Sequence, residues 1–209
     1  MKQDKKSEIE LTQRGLSLDE AVKIEKNMAK NFENFDLYFN LFQEKIYPRK
    51  KDKIIDVCCG GGYFTSLIHK KHKNISGFDL SPFSIKIART AFPKIKFFVS
   101  DAEKINLPSS SQDIIFVSNA LHHFPDLTKV SKEFSRILKK NGKVFAIEPN
   151  LYNPITIFRE FIGKIKGEKS KNEYPLSSSR VKKAFSKYFN VKISYFRLFT
   201  KLVIVMEKK

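Results

Sequence analysis

The stretch IIDVCCGGGYFTSLI, residues 54–68, passes from an apolar run through two cysteines and three consecutive glycines into a segment with apolar residues at helical spacing. The run KIIDV (53–57) reads as a buried strand, and Phe64, Leu67 and Ile68 as the inner face of a helix. Between them, Gly60, Gly61 and Gly62 can take positive φ angles and let a ligand approach the main chain more closely than any side chain would allow. A glycine turn that serves chain geometry alone is the competing reading.

Outward from this loop the period alternates between strand and helix. NISGF (74–78), IKFFV (95–99), DIIFV (113–117) and KVFAI (143–147) read as further buried parallel strands. Ser81-Pro82 marks a helix start, an N-cap followed by proline at the first helical position. VSKEFSRILKKNG (130–142) reads as a helix closed by its lysines and Asn141-Gly142. Upstream, Ser17 and Glu20 stand in capping-box spacing before a helix carrying Ala21, Val22, Ile24 and Met28. A second helix carries Phe35, Tyr38, Phe39, Phe42 and Ile46 and ends at Tyr47-Pro48. Downstream, SSSRVKKAFSKYF (177–189) reads as a capped helix, and NVKISYFRLF and KLVIVME as a hairpin whose short turn makes the last strand antiparallel to its neighbour. The expected fold is α/β, a doubly wound, mostly parallel seven-stranded sheet with an antiparallel last strand. Its ligand site belongs at the carboxyl ends of the strands.

The glycine loop weakens one common ligand motif and excludes another. Reading G-x-G-x-x-G from Gly60 places Thr65 where the third glycine of a dinucleotide fingerprint belongs, and no Gly-Lys-Ser/Thr follows to make a phosphate loop. Asp79 ends the second strand, at a spacing from Asp56 suited to a carboxylate that reaches ribose hydroxyls, so a nucleoside is expected in the ligand. Capping of the Ser81 helix is the alternative role for Asp79. Asp101 follows the third strand in SDAEKINLP, which sets two acids at successive strand ends.

The composition is that of a globular chain. Its 209 residues, 41% hydrophobic, suit a single domain. No run is long and apolar enough to span a bilayer, and MKQDKKSEIE lacks an apolar leader core, so a cytoplasmic location is expected. Adjacent Cys58 and Cys59 read as reduced thiols, and no metal is expected. The formal charge of +18 invites a nucleic-acid partner, but only 7 of the 40 basic residues are arginine, the residue that reads bases and phosphates best. A solvated lysine surface is favoured over nucleic acid or an anionic membrane.

Together, DVCCGGG from Asp56, GFDLS with Asp79, SDAEKINLP with Asp101, DIIFVSNALHHF and the final hairpin resemble the class I S-adenosylmethionine-dependent methyltransferases, of the small methyltransferase-domain type. The resemblance is close over residues 53–150 and looser in the tail. It implies S-adenosylmethionine as cofactor, with Cys58, Cys59, Gly60, Gly61 and Gly62 passing under its methionine part and Asp56 beside it. Asp79, with Leu80 after it, would hold the ribose hydroxyls. Asp101 and Ala102 would meet the adenine edge, and Ser118 and Asn119 the methionine end. The family's usual residue at Cys58 is glycine.

Methyl transfer from a sulfonium relies on in-line alignment of donor and acceptor, and a protonated acceptor also needs a base. His122, His123 and Glu148 are the candidates. For the histidines the competing role is packing or hydrogen bonding beside the cofactor, and for Glu148 the holding of backbone amides. A small-molecule acceptor is expected, chosen by residues 1–50 and by an insertion at 151–176. In that insertion Ile155, Phe158, Ile162 and Ile165 share a helical face, with Arg159, Lys164 and Lys166 outside it. It would serve as a lid, as a peripheral membrane contact or as ordinary packing. An RNA or protein methyltransferase and a non-catalytic cofactor-binding protein are the alternative functions.

Overall fold

The structure is a computed structural model and describes residues 16–31, 35–150, 152–154, 157, 158, 174, 176–196 and 200–209. Two helices come first, α1 (Leu18–Asn31) and α2 (Phe35–Ile46), followed by β1 (Ile54–Val57), α3 (Tyr63–His69), β2 (Ile75–Asp79), α4 (Pro82–Ala91) and β3 (Lys96–Val99). Then come β4 (Gln112–Ser118), a 3-10 turn at Leu121–His123, α5 (Thr128–Ile137), β5 (Leu138–Pro149), α6 (Ser178–Phe185), β6 (Phe189–Phe196) and β7 (Lys201–Lys208). The seven strands form one sheet in the order β3-β2-β1-β4-β5-β7-β6. The first five are mutually parallel, and β7 lies antiparallel between β5 and β6. The expected fold class is what is found.

Both faces of the sheet are covered, which is why the central strands are apolar without alternation. On one face Ile54, Ile114, Phe116, Phe145 and Val203 pack against Tyr38, Phe42 and Ile46 of α2 and Phe64 and Ile68 of α3. Phe42 meets Phe116 and Phe145 edge-on, with ring centroids 5.6 and 5.5 Å away. On the other face Ile55, Val57, Ile115, Val117 and Ile204 pack against Val130, Phe134 and Ile137 of α5 and Val181 and Phe185 of α6. Helix α1 is set further out. Its Ala21 and Val22 are buried against Ile87 and Ala91 of α4.

Local signals explain three helix starts. Ser17 and Glu20 form the reciprocal capping box, the Ser17 hydroxyl accepting from Glu20 N at 3.3 Å and a Glu20 carboxylate oxygen from Ser17 N at 2.8 Å. Ser81 caps α4 by accepting from Ser84 N at 3.1 Å, with Pro82 at its first position. Ser177 does the same for α6, accepting from Arg180 N at 3.0 Å.

Three expectations are corrected. The helix over 130–142 ends at Ile137 because Leu138 is drawn into the core beside Gln112, and residues 138–149 are strand. Pairing skips from Gln112–Leu138 to Ile114–Lys143, so Asn141, with φ 60°, and Gly142 make a looped-out irregularity in β5 and no helix cap. The helix over 177–189 stops at Phe185, since Phe189 already pairs with β7. On α1, Ile24 and Met28 are exposed, and Ala21, Val22 and Ala29 are the buried residues. The Ile155, Ile162, Ile165, Arg159, Lys164 and Lys166 pattern lies outside the described residues. Phe158, which is described, is exposed.

Among the described residues no helix is long and apolar enough to cross a membrane.

Candidate functional site

Strand order reverses at β1, which has β2 on one side and β4 on the other, so a crevice opens above the carboxyl ends of β1 and β4. The glycine loop fills the floor of this crevice. Cys59 N donates to the Phe78 carbonyl at 2.9 Å, tying the loop to β2, and Gly60 N donates to a carboxylate oxygen of Asp79 at 2.9 Å. The other Asp79 oxygen accepts from Ser81 N at 2.9 Å. The Asp79 carboxylate thus pins the loop and the start of α4 together. Ser81, not Asp79, is the N-cap of that helix.

The positive φ angles fall on Cys58 (58°), Gly60 (54°) and Gly62 (87°). This corrects the expectation that all three glycines supply them. Gly61 matters for space, because a Cβ there would come within 2.3 Å of Cδ of Glu25 on α1. Gly62 matters on both counts, its Cβ position lying 2.7 Å from the Phe97 ring. A cysteine at 58 bears a conformation that glycine adopts without cost.

The crevice holds a cavity of about 240 Å³ lined by Glu25, Asp56, Cys58, Cys59, Gly60, Gly61, Tyr63, Phe64, Ser118 and Asn119. Seven expected site residues therefore meet in one place: Asp56, Cys58, Cys59, Gly60, Gly61, Ser118 and Asn119. Asp56 is buried and accepts a 2.6 Å hydrogen bond from the Thr65 hydroxyl. Burial pushes its carboxyl up to about 7, with the neighbouring Asp79 charge adding to the rise and the Thr65 bond opposing it. Burial likewise raises Asp79, against the Ser81 and Gly60 amides and the nearby His123. Both thiols are unbridged, and burial holds them well above the ordinary cysteine range. Asn119, with φ 51°, donates to the Ser118 hydroxyl and accepts from Lys201 of β7 at 3.0 Å.

The remaining expected residues sit around this cavity without lining it. Gly62 is buried at the loop's end, where it precedes α3, and Leu80 is half-buried beside Asp79. Asp101 is exposed and accepts from Glu103 N at 2.8 Å, while Ala102 is buried in the core. Glu148 is fully buried. One of its oxygens accepts from Ala120 N and Leu121 N, each at 2.9 Å, and the other lies 2.7 Å from His122 Nδ1. This is the amide-holding arrangement weighed for it from the sequence. His122 is buried, whereas His123 is exposed, its ring 4.0 Å from that of His122. Arg180 of α6 donates to the carbonyls of Tyr174, Phe124 and Pro125, anchoring the chain just after the histidines.

Glu25, Tyr63 and Phe64 line the cavity without having been expected there, Phe64 having been read only as the inner face of its helix. Glu25 carries no sequence signal, since a glutamate on an amphipathic helix reads as a solvated face. Tyr63 was legible, being the first residue after the glycines.

The lining suits a cation better than an anion. It includes two carboxylates and, among the described residues, no lysine or arginine, in a chain with 40 basic residues. A pyrophosphate here would face uncompensated acids, whereas a sulfonium or ammonium would be attracted. A nucleoside carrying a cationic amino-acid arm, as in S-adenosylmethionine, fits these residues.

A family model described as a methyltransferase domain matches residues 55–146. The chain is 31% identical over 140 residues to a demethylmenaquinone methyltransferase of Chlorobaculum parvum, covering 63% of this chain and 58% of that protein. It is 30% identical over 110 residues to a ubiquinone/menaquinone biosynthesis C-methyltransferase of Campylobacter jejuni, covering 49% of this chain and 47% of that one. The chain thus spans about half the length of these relatives. An S-adenosylmethionine-dependent methyltransferase from Thermotoga maritima superposes with a TM-score of 0.65 at 19% identity, covering 88% of this chain and 98% of that one, a likeness of fold.

Proposed function

We propose that this protein, whose residues 55–146 match a methyltransferase-domain family model, transfers the methyl group of S-adenosylmethionine to a small, largely apolar ring-bearing acceptor. One observation carries the reading: the loop Cys58–Gly62, tied to Asp79 and opening into a cavity whose charged lining is acidic. When bound, the cofactor supplies an electrophilic methyl group on a sulfonium.

The chain's own residues then have separable tasks. The Asp79 carboxylate already accepts from the backbone N–H groups of Gly60, Ser81 and Leu80, and the lone pairs left over would receive ribose hydroxyls. Backbone of Cys58, Cys59, Gly60 and Gly61 would lie against the methionine arm, with Asp56, Ser118 and Asn119 at its end. Leu80, Asp101 and Ala102 would border the adenine. Glu148 is a positioning residue, because its bonds are spent on Ala120, Leu121 and His122. His123, exposed at the rim, is the better placed of the two histidines to take a proton from an acceptor hydroxyl.

Several features support an apolar acceptor. Phe64 of the cavity wall continues into Tyr38 and Phe196, with ring centroids 6.4 and 6.3 Å from that of Tyr38. Tyr152, Ile157 and Phe158 are exposed just beyond β5. The Chlorobaculum and Campylobacter relatives are named for quinone substrates. We take the chain as one domain, with residues 1–50 as a helical extension and 151–176 as an insertion on the acceptor side, where a lipid-like acceptor would also bring the protein to a membrane surface.

The test pairs binding with transfer. Calorimetry should show S-adenosylmethionine binding and no comparable binding of a nicotinamide dinucleotide, with Asp79→Ala weakening the former about 10- to 150-fold. Cofactor carrying a labelled methyl group, incubated with cell extract, should then label the small-molecule or lipid fraction. Label confined to RNA or protein, or no binding at all, overturns the reading.

A further inference from the structure

The most unusual group in the cavity comes from outside the matched domain. Glu25 sits on α1, 36 positions before Gly61, yet its carboxyl group rests directly over that glycine. It accepts a hydrogen bond from Tyr63 N–H, leaving Oε2 buried with no hydrogen-bond partner among the described residues. Burying a carboxylate oxygen unpaired is costly, and burial accordingly raises the Glu25 carboxyl. Residues that hold such a group in place without satisfying it have left a position for a donor from elsewhere.

The position is specific. Helix α1 is anchored by Ala21 and Val22 against Ile87 and Ala91 of α4, and its start is fixed by the Ser17–Glu20 box. Glu25 lies one turn beyond Ala21 and Val22, and this packing aims it at the loop. The absence of a side chain at Gly61 is what makes room for it, since a Cβ there would stand 2.3 Å from Glu25 Cδ and 2.4 Å from Oε1. The other carboxylate of the lining, Asp56, already has a donor in Thr65, so the unmet acceptor belongs to Glu25.

We propose that Glu25 is a cofactor-binding residue whose carboxylate receives the α-ammonium group of the methionine arm, so that α1 completes the cofactor site rather than selecting the acceptor. This rests on the assignment of S-adenosylmethionine to the cavity. An ammonium there donates to Oε2, supplies the charge that burial makes unfavourable to leave unpaired, and is oriented by a helix that the domain core does not include. Discrimination follows as well: a nucleoside without the amino-acid arm gains nothing from Glu25.

The experiment uses three ligands: S-adenosylmethionine, S-adenosylhomocysteine and 5′-methylthioadenosine, which lacks both the amino and carboxyl groups. Glu25→Gln keeps an oxygen for Tyr63 N–H while removing the charge. It is expected to weaken the first two ligands about 10- to 150-fold, the loss of a charge-assisted hydrogen bond, and to leave methylthioadenosine unchanged. Gly61→Ala, which pushes the Glu25 side chain aside, should reproduce this selectivity, and adding Glu25→Gln to it should cost little more. Equal loss for all three ligands, or unchanged S-adenosylmethionine affinity in Glu25→Gln, overturns the role of Glu25 while leaving the cofactor assignment standing. A parent protein that binds none of the three overturns both.

Discussion

Asp56→Asn should make the ligand-free protein more stable at pH 8, by a margin that shrinks as the pH falls toward 4. The carboxyl is buried near the end of β1 and accepts a hydrogen bond from the Thr65 hydroxyl. Its ordinary value of 3.8 rises to about 7 in the folded state, chiefly through desolvation. The unfolded chain releases this proton near pH 4 and the folded chain near pH 7, so the folded state binds more protons in between. Stability present in full below pH 4 is therefore lost as pH rises through 7. A shift of about three pK units, at about 1.4 kcal/mol each, sets a ceiling of about 4 kcal/mol on this loss, and water penetration and local relaxation should reduce it to about 1–3 kcal/mol. Asparagine can still accept from Thr65 through its oxygen but never ionises. For a chain of 209 residues the entropy of unfolding is about 0.4 kcal/mol/K. The variant should thus melt about 2–7 °C above the parent at pH 8, with the gap narrowing as the pH falls and closing toward pH 4. Scanning fluorimetry of both proteins across this range isolates Asp56, because Glu25 and Asp79 titrate in each. A gap that does not change with pH would mean that Asp56 ionises as it does in water, and would refute the reasoning.

Two further substitutions probe the loop. Gly62→Ala combines a positive φ of 87° with a Cβ only 2.7 Å from Phe97 and 3.1 Å from Ala88. It should cost about 2–5 kcal/mol and lower the melting temperature by about 5–12 °C, and an unchanged melting temperature would show that the loop can shift freely. At position 58, where φ is 58°, stability measured in urea should follow glycine at or above cysteine, with valine about 2 kcal/mol lower; valine equal to cysteine would contradict the left-handed assignment.

Much of this protein is decided by local pattern. The apolar runs, Ser81-Pro82, Ser17 with Glu20 and the glycines after Asp56 each act within a few residues, so strands, helix starts and the glycine loop are legible without tertiary information. The position of Asp79 was legible for the same reason, since the last residue of a strand lies at the carboxyl end of the sheet, where the crevice opens. The misplaced helix end at residues 138–142 shows the limit of such reasoning. Lys139, Lys140, Asn141 and Gly142 form a sound helix-closing sequence, and burial of Leu138 beside β4 overrides it.

What only the tertiary structure decided is where groups distant in the chain meet. The hairpin was readable from the tail, but the insertion of β7 between β5 and β6 depends on which strand can be buried on both faces. Leu202, Val203 and Ile204 are buried in succession, while β6 has exposed positions along its length. Glu148 could be named from sequence, but its pairing with Ala120, Leu121 and His122 required β4 and β5 to align. Glu25 is the clearest case. Nothing within α1 distinguishes it from the charged residues around it, and its significance arises only when Ala21 and Val22 dock on α4 and carry the carboxylate over Gly61. Hydrophobic periodicity records which face of a helix is buried, whereas the identity of the partner is set by the packing of the whole chain.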